Sequence, residues 1–402
     1  MSLRTTDFLV IGGGVIGLNI AKRLKQEFTD SSVLLIEKED GCGQHASGRN
    51  SGVVHAGFYY SPESLKAKLT RDGNRRLTAY CVERNIPLNR CGKLVVARNA
   101  TDLPSLDELI KRGKANGIEL TELTEAEAKT MEPRVKTYQR ALYSPTTSTV
   151  DPQLVMKAMV KDVLDGGAEI HLGSPFLRKS GKKVITPNMV YEAGYVVNAG
   201  GLYADRIARQ FGFSEHYRIL PFKGLYLYSS EPPGTLRTNI YPVPDLRNPF
   251  LGVHFTITND GRAKIGPTAI PAFWREQYSG LNRFSIAEFM EIATRGVSLL
   301  GSAGFEFRRL AIEEIRKYSK RRMVALAGEL VEGIRPEHYT RWGKPGIRAQ
   351  LLDIRKRRLE MDFIVEGDDR SMHVLNAVSP AFTCAIPFSE YVCDRIHQQL
   401  HR

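Results

Sequence analysis

Apolar runs in this chain are short and stop abruptly, and where they stop defines the elements. Phe8-Leu9-Val10-Ile11 ends at Gly12-Gly13-Gly14-Val15-Ile16-Gly17, and Val33-Leu34-Leu35-Ile36 ends at Glu37. A buried strand, a glycine turn, a helix and a second strand account for that spacing. Ser61-Pro62-Glu63 supplies an N-cap, a proline at the first helical position and an early acid, which predicts a helix running to about Asn85. Lys93 to Arg98 alternates as a strand, and Thr124 with Glu127 makes a capping box for a short helix. Asp151-Pro152 opens a helix that is apolar at Leu154, Val155, Ala158, Met159 and Val163 and closes at Gly166-Gly167. Glu169 to His171 and Tyr195-Val196-Val197-Asn198 read as strands, the second again running into glycine at Ala199-Gly200-Gly201. β-Branched and aromatic residues with turn signals over Tyr217 to Tyr228 and Phe250 to Thr258 predict an antiparallel sheet. From Ile286 to Leu330 the pattern is helical and basic, and Ser379-Pro380 opens a last helix with proline at its first position.

Gly12, Gly14 and Gly17 stand in G-x-G-x-x-G spacing between strand and helix. The first glycine makes the turn, the second lets backbone approach a pyrophosphate, and the third lets helix and strand pack closely. The diphosphate then meets the N–H groups of a helix N-terminus. Glu37, at the second strand end, can accept hydrogen bonds from both ribose hydroxyls of an adenosine and would repel a 2′-phosphate, which argues against NADP. Both strand-into-glycine joints fall where a doubly wound fold binds its ligand. The fold class is therefore α/β, α+β overall. A Rossmann-type nucleotide-binding domain at 1–90, 147–215 and 335–402 is interleaved with an antiparallel-sheet substrate domain at 91–146 and 216–334.

At 402 residues the chain holds two domains or more. No stretch reaches the ~18–20 uninterrupted apolar residues of a spanning helix. The apolar segment after Arg4 reads as retained structure rather than a signal peptide. Cys42, Cys81, Cys91, Cys384 and Cys393 contain no C-x-x-C pair, which predicts reduced thiols, no disulfide frame, no metal site and a cytoplasmic setting. The formal charge of +13 favours an anionic substrate, an anionic cofactor or a lipid surface. It comes with no motif that reads nucleic acid, so no nucleic-acid partner is expected. Arg308, Arg309, Arg316, Lys317, Lys320, Arg321 and Arg322 read first as a solvated helical face, with peripheral contact at the inner face of a membrane as the minority reading. Nothing in the sequence specifies an oligomeric state.

Longer motifs run through the whole chain in one order. They are His45-Ala46-Ser47-Gly48-Arg49-Asn50-Ser51-Gly52-Val53-Val54-His55-Ala56-Gly57-Phe58-Tyr59-Tyr60, Asn198-Ala199-Gly200-Gly201 with Asp205, Pro221-Phe222-Lys223-Gly224, Ile240-Tyr241-Pro242-Val243-Pro244-Asp245, Leu251-Gly252-Val253-His254, Gly346-Ile347-Arg348-Ala349-Gln350 and Asn376-Ala377-Val378-Ser379-Pro380-Ala381. In these the chain resembles the FAD-dependent D-amino-acid-oxidase-like flavoproteins, most closely the L-2-hydroxyglutarate dehydrogenases and oxidases. It departs from them after Gln350, where Asp353-Ile354-Arg355-Lys356-Arg357-Arg358 replaces a glycine-containing hairpin, and after Ala381, where Phe382-Thr383-Cys384 follows.

The resemblance implies FAD as cofactor and oxidation of a small anionic 2-hydroxy acid, L-2-hydroxyglutarate, to 2-oxoglutarate, with quinone or dioxygen as electron acceptor. The expected cofactor contacts are Gly12, Gly14, Ile16, Gly17, Glu37, Lys38, Ser47, Asn50, Ser51, Gly52, Phe176, Ala199, Gly200, Ser379, Pro380 and Ala381. The last helix would direct free N–H groups and a positive dipole end at the flavin's pyrimidine edge. Hydride abstraction needs a base for the hydroxyl proton. His55, just beyond the Ser47 to Gly52 loop, is the first candidate, and His254 the second, with substrate orientation as its main role. A substrate carboxylate calls for arginine's planar fork. Arg348 is preferred to Arg335, in Gly333-Ile334-Arg335-Pro336, which is left as a surface or lid residue. Lys223 is a candidate for the second carboxylate, and Tyr241 joins the substrate-binding set. The rival substrates are a D- or small amino acid and glycerol 3-phosphate. The rival class is a flavin-fold binding protein without catalysis.

Overall fold

The computed structural model describes residues 2–246, 250–302 and 313–401. The chain divides into two compact units, Met1–Arg49 with Pro152–Pro221 and Arg348–Arg402, and Asn50–Asp151 with Phe222–Ile347. Residues 50–90 group with the second unit rather than with the nucleotide-binding pieces. The reason is local pairing: Ser148–Val150 takes both Val53–Val54 and Leu88–Asn89 as antiparallel neighbours.

In the first unit, Ser2–Ile11 lies between Val33–Ile36 and Met189–Asn198, parallel to both. Glu169–His171 extends the sheet beyond Val33–Ile36, and Ser371–Asn376 runs parallel against the end of Met189–Asn198. Where the two central strands pair, Phe8–Ile11 and Val33–Ile36 are apolar on both faces, as parallel strands covered by helices must be. Helix Val15–Glu27 buries Val15, Ile16, Leu18, Ile20, Ala21 and Leu24. Helix Pro152–Asp165 begins and ends as expected, with Met156 on its buried face and Leu154 turned to solvent.

Two helix starts differ from the sequence reading. The helix expected from Pro62 begins at Leu65, because the Ser64 hydroxyl accepts the Ala67 N–H at 3.1 Å and so claims the N-cap. Pro380 is the N-cap, not the first residue, of helix Ala381–Leu400. The capping box of Thr124 and Glu127 is present as read.

The second unit is built on an eight-stranded sheet. Its order is Arg341–Trp342, Leu227–Tyr228, Ala263–Gly266, His254–Ile257, Asn239–Pro242, Lys93–Val96, Arg140–Ser144 and Thr121–Thr124. All neighbours are antiparallel except Asn239–Pro242 with Lys93–Val96. One face is apolar: Leu94, Val96, Ile240, Phe255, Ile257, Ile265 and Leu227 form a core with Met323, Val324 and Ala327 of helix Lys320–Gly328. Burying that face against a helix supplies the hydrophobic drive for this unit, at roughly 1.5–3 kcal/mol per large side chain. In the basic region, Arg316, Arg321 and Arg322 are exposed while Lys317 is buried on Glu314; Arg308 and Arg309 lie outside the described residues. Among the described residues no helix is long and apolar enough to cross a membrane.

Candidate active site

Three parallel strands of the first unit end together, with Ile11 opposite both Ile36 and Asn198. Gly12, Glu37 and Ala199 therefore leave the sheet at one edge. Glu37 is buried there, one carboxylate oxygen accepting the Gly13 N–H at 2.6 Å and the other the Glu39 N–H at 3.0 Å. The Ser47 hydroxyl accepts the Val15 N–H at 2.9 Å, at the first turn of the helix.

The three fingerprint glycines do different work. A carbon added at Gly12 would sit 2.5 Å from the Ala199 carbonyl oxygen, and one at Gly17 would sit 1.9 Å from the Gly12 carbonyl oxygen. Those two permit close packing. At Gly14 an added carbon meets only Ser47 Oγ, at 3.2 Å, and the backbone there (φ −79°, ψ 175°) suits any residue. Glycine at 14 thus keeps space open beside a helix N-terminus that Gly14 does not cap with a side chain. Open backbone at the positive end of a helix, with a buried carboxylate at the next strand end, matches a dinucleotide's diphosphate and ribose, so these residues fit the adenosine half of FAD.

Other expected cofactor contacts are spread through the same unit. Ile16 is buried and its carbonyl accepts from the Ser389 hydroxyl at 3.3 Å. The Lys38 ammonium is held by the Glu39 carboxylate and lies 5.7 Å over the Tyr203 ring. Gly200 donates its N–H to Asn198 Oδ1 at 3.0 Å, which fixes the turn after Ala199. Phe176 packs on the cluster of Leu9, Ile11 and Val196, its ring 6.4 Å from Phe211. Ser379 is exposed, and the Ala381 N–H bonds to the Val378 carbonyl at 3.0 Å. That donor is committed within the chain, which narrows what the last helix can offer a ligand.

The second unit's sheet is unusual on its other face. Register places Lys264 opposite Thr256, Asn239 opposite Lys93, and Lys93 opposite Ser144, with His254 and Tyr241 on the same side. All seven are buried, and Val95 and Leu142 share the face as part of an apolar cluster with Phe58 and Tyr59, so this face is largely polar on its central strands and yet withdrawn from water. On its four central strands it carries two lysines and no carboxylate. The Tyr241 and His254 rings stack at 3.7 Å and 18°, and His254 Nδ1 lies 2.8 Å from the Gly252 carbonyl oxygen. A carbonyl only accepts, so Nδ1 carries the proton and Nε2 of the neutral ring is an acceptor.

Lys264 donates from Nζ to the Ser51 carbonyl at 3.0 Å and lies 4.9 Å over the Tyr226 ring. Burial pushes its ammonium down to about 8 against the pull of Asp151 and Asp260. Lys93 is 0 % exposed and its Nζ has no hydrogen-bond acceptor; instead the rings of Tyr59, Phe58 and Tyr241 stand 4.5, 4.7 and 4.8 Å away. Desolvated cation–π contacts contribute about 2 kcal/mol each, which offsets part of a burial cost of several kcal/mol. Burial pushes the Lys93 ammonium down to about 7.

Asn50, Ser51 and Gly52 form a tight turn in which Asn50 Oδ1 accepts the Gly52 N–H at 2.8 Å and Gly52 takes φ +77°. Val150 donates to the Gly52 carbonyl at 2.9 Å, and His55, half-buried, follows the two-residue strand Val53–Val54, its carbonyl held by Asn74 Nδ2 at 3.2 Å. Lys223 is buried opposite Ile270, which pushes its ammonium below the usual range. Arg348 is half-buried on strand Gly346–Asp353 in the first unit, whereas Arg335 is exposed. The glycine-free loop after that strand still closes a hairpin, Leu352 opposite Leu359. Asp353 Oδ1 accepts the Arg355 and Lys356 N–H groups at 2.9 Å, and Arg357 adopts φ +52°.

Lys93 and Lys264 were not among the sequence candidates. The signal was a lysine set into an apolar strand, in Lys93-Leu94-Val95-Val96 and Ala263-Lys264-Ile265-Gly266.

The model of the FAD dependent oxidoreductase family matches residues 7–395. The chain is 36 % identical over 416 residues to the mitochondrial L-2-hydroxyglutarate dehydrogenase of Nematostella vectensis, covering 97 % of this chain and 90 % of that one. It is 33 % identical over 416 residues to L-2-hydroxyglutarate dehydrogenase of Escherichia coli strain K12, covering 98 % and 94 %. Among solved structures, FAD-bound L-alpha-glycerophosphate oxidase from Mycoplasma pneumoniae superposes with a TM-score of 0.78 at 22 % identity, covering 98 % and 95 %.

Proposed function

The chain belongs to the FAD-dependent oxidoreductase family, and from that premise we propose that it oxidises L-2-hydroxyglutarate to 2-oxoglutarate. One observation carries the choice of substrate beyond the likeness to enzymes of that name: a buried, polar sheet face with two lysines and no carboxylate on its central strands. Such a face favours an anion with polar groups and disfavours a zwitterion's ammonium. Bound flavin supplies the hydride acceptor. His55 takes the hydroxyl proton, and His254, with its proton fixed on Nδ1, accepts a hydrogen bond from the substrate at Nε2. Arg348 grips one carboxylate and Lys223 the other. Quinone or dioxygen takes the electrons in a cytoplasmic setting.

Contact with a bilayer surface belongs to the same proposal. Among the described residues, seven of the seventeen exposed large apolar side chains lie from Phe273 to Tyr318. That density, beside exposed Arg316, Arg321 and Arg322, suits an anionic interface.

Anaerobic mixing of the yellow holoenzyme with a panel of hydroxy acids, amino acids and glycerol 3-phosphate tests the substrate. Bleaching by L-2-hydroxyglutarate ahead of the rest is expected; faster bleaching by an amino acid or glycerol 3-phosphate would assign the site elsewhere. Arg348→Lys should raise KM at least tenfold, since a charged hydrogen bond contributes ~1.5–3 kcal/mol and lysine loses the bidentate fork. Arg335→Lys should leave KM within about twofold. The reverse ranking would move the carboxylate to Arg335.

A further inference from the structure

Three neighbouring strands bring Lys93, Tyr241 and His254 onto one sheet face, with the strand of Tyr241 in the middle. His254 covers one face of the Tyr241 ring at 3.7 Å, and Lys93 Nζ lies 4.8 Å from the same ring, reached from the opposite neighbouring strand. Among the described residues the Lys93 ammonium has no hydrogen-bond acceptor, so its charge stands unbalanced against the ring on which the His254 imidazole stacks. We propose that Lys93 is a positioning residue that acts through Tyr241 to keep the His254 imidazole neutral, so that Nε2 stays a hydrogen-bond acceptor for the substrate. The inference rests on His254 being part of the active site.

The sign follows from like charges. A fixed cation disfavours the imidazolium and lowers the pH at which His254 gains its second proton. Because burial lets Lys93 itself titrate near neutrality, it is charged in the acid range where that protonation threatens. The immediate neighbours of Lys93 leave its charge standing. Tyr59, packed on Lys93, is a phenol that burial pushes up and holds neutral, with Tyr60 and Tyr241 beside it. Ser144, opposite Lys93, carries no charge. On the far side Lys264, opposite Thr256, is a second cation, with the carboxylates of Asp151 and Asp260 acting on it.

Lys93→Met keeps the length and removes the charge, and replacing a buried unpaired cation with an apolar group is neutral or stabilising. The holoenzyme variant should therefore fold. Its His254 ring, followed by NMR titration with assignment from His254→Asn, should titrate about one pH unit higher than in the native holoenzyme. The acid limb of the KM profile should move by the same amount. Lys93→Arg should keep the low value if it folds. An unchanged His254 titration in Lys93→Met, or a kcat loss at every pH without a shift, would overturn the proposal. The NMR readout does not depend on turnover, so loss of the hydroxy-acid reading and loss of the Lys93 effect are separate outcomes.

Discussion

His55→Ala should keep FAD and bind substrate, yet reduce its flavin roughly 10²–10⁴ times more slowly than the native enzyme, the usual worth of general-base catalysis. His55 follows the strand Val53–Val54 and the turn before it, where Asn50, Val150 and Lys264 together fix Ser51 and Gly52. A half-buried ring at the end of a rigid turn can meet substrate without being sealed from the proton's exit route. The native reduction rate should rise with pH as the imidazole loses its proton, and that step should vanish in the variant. Stopped-flow reduction under anaerobic conditions reads both. A variant with near-native speed and the native pH profile would transfer the base to His254, whose Nδ1 lies on the Gly252 carbonyl.

Gly14→Leu should give a folded, colourless protein. The backbone at Gly14 accommodates any residue, and a first side-chain carbon meets only Ser47 Oγ, so folding should survive. The rest of the side chain fills the space kept for the diphosphate, and a clash costing more than about 3 kcal/mol weakens FAD at least a hundredfold. Flavin absorbance against far-UV circular dichroism separates the two effects. Gly17→Ala is the contrast: its added carbon would lie 1.9 Å from the Gly12 carbonyl, so it should damage the fold itself. Full flavin content in Gly14→Leu would mean that the dinucleotide runs elsewhere.

The nucleotide-binding half was legible because each step of it is a local rule. An apolar strand, a glycine turn and an acidic strand end lie within 37 residues of the start, and the register that brings Ile11, Ile36 and Asn198 level needs no long-range information beyond the second glycine joint. The helix beginning at Leu65 shows where local rules compete. Ser61 and Pro62 offered a complete start signal, and Ser64, three residues on, won by capping Ala67.

The polar sheet face was not legible. Alternation places Lys93 with Val95, away from Leu94 and Val96, but a lysine on the polar side of a strand ordinarily faces water. Only the packing of Phe58, Tyr59 and Tyr241 over its ammonium reveals that this side is buried too. Lys264 was hidden in the same way, since its partner, the Ser51 carbonyl, lies 213 residues away. The glycine-free loop at Asp353 misled for a related reason: Arg357 takes the left-handed conformation that glycine usually fills, with the Asp353 carboxylate holding the turn.

The central claim is that this flavoprotein removes a hydride from L-2-hydroxyglutarate. A single-turnover reaction without oxygen tests it most directly: native holoenzyme is mixed with a slight excess of L-2-hydroxyglutarate, and reduced flavin and 2-oxoglutarate are counted together. One 2-oxoglutarate per flavin reduced, with the D enantiomer leaving the flavin yellow, is the predicted result. Flavin that stays oxidised, or bleaches without forming 2-oxoglutarate, would contradict it.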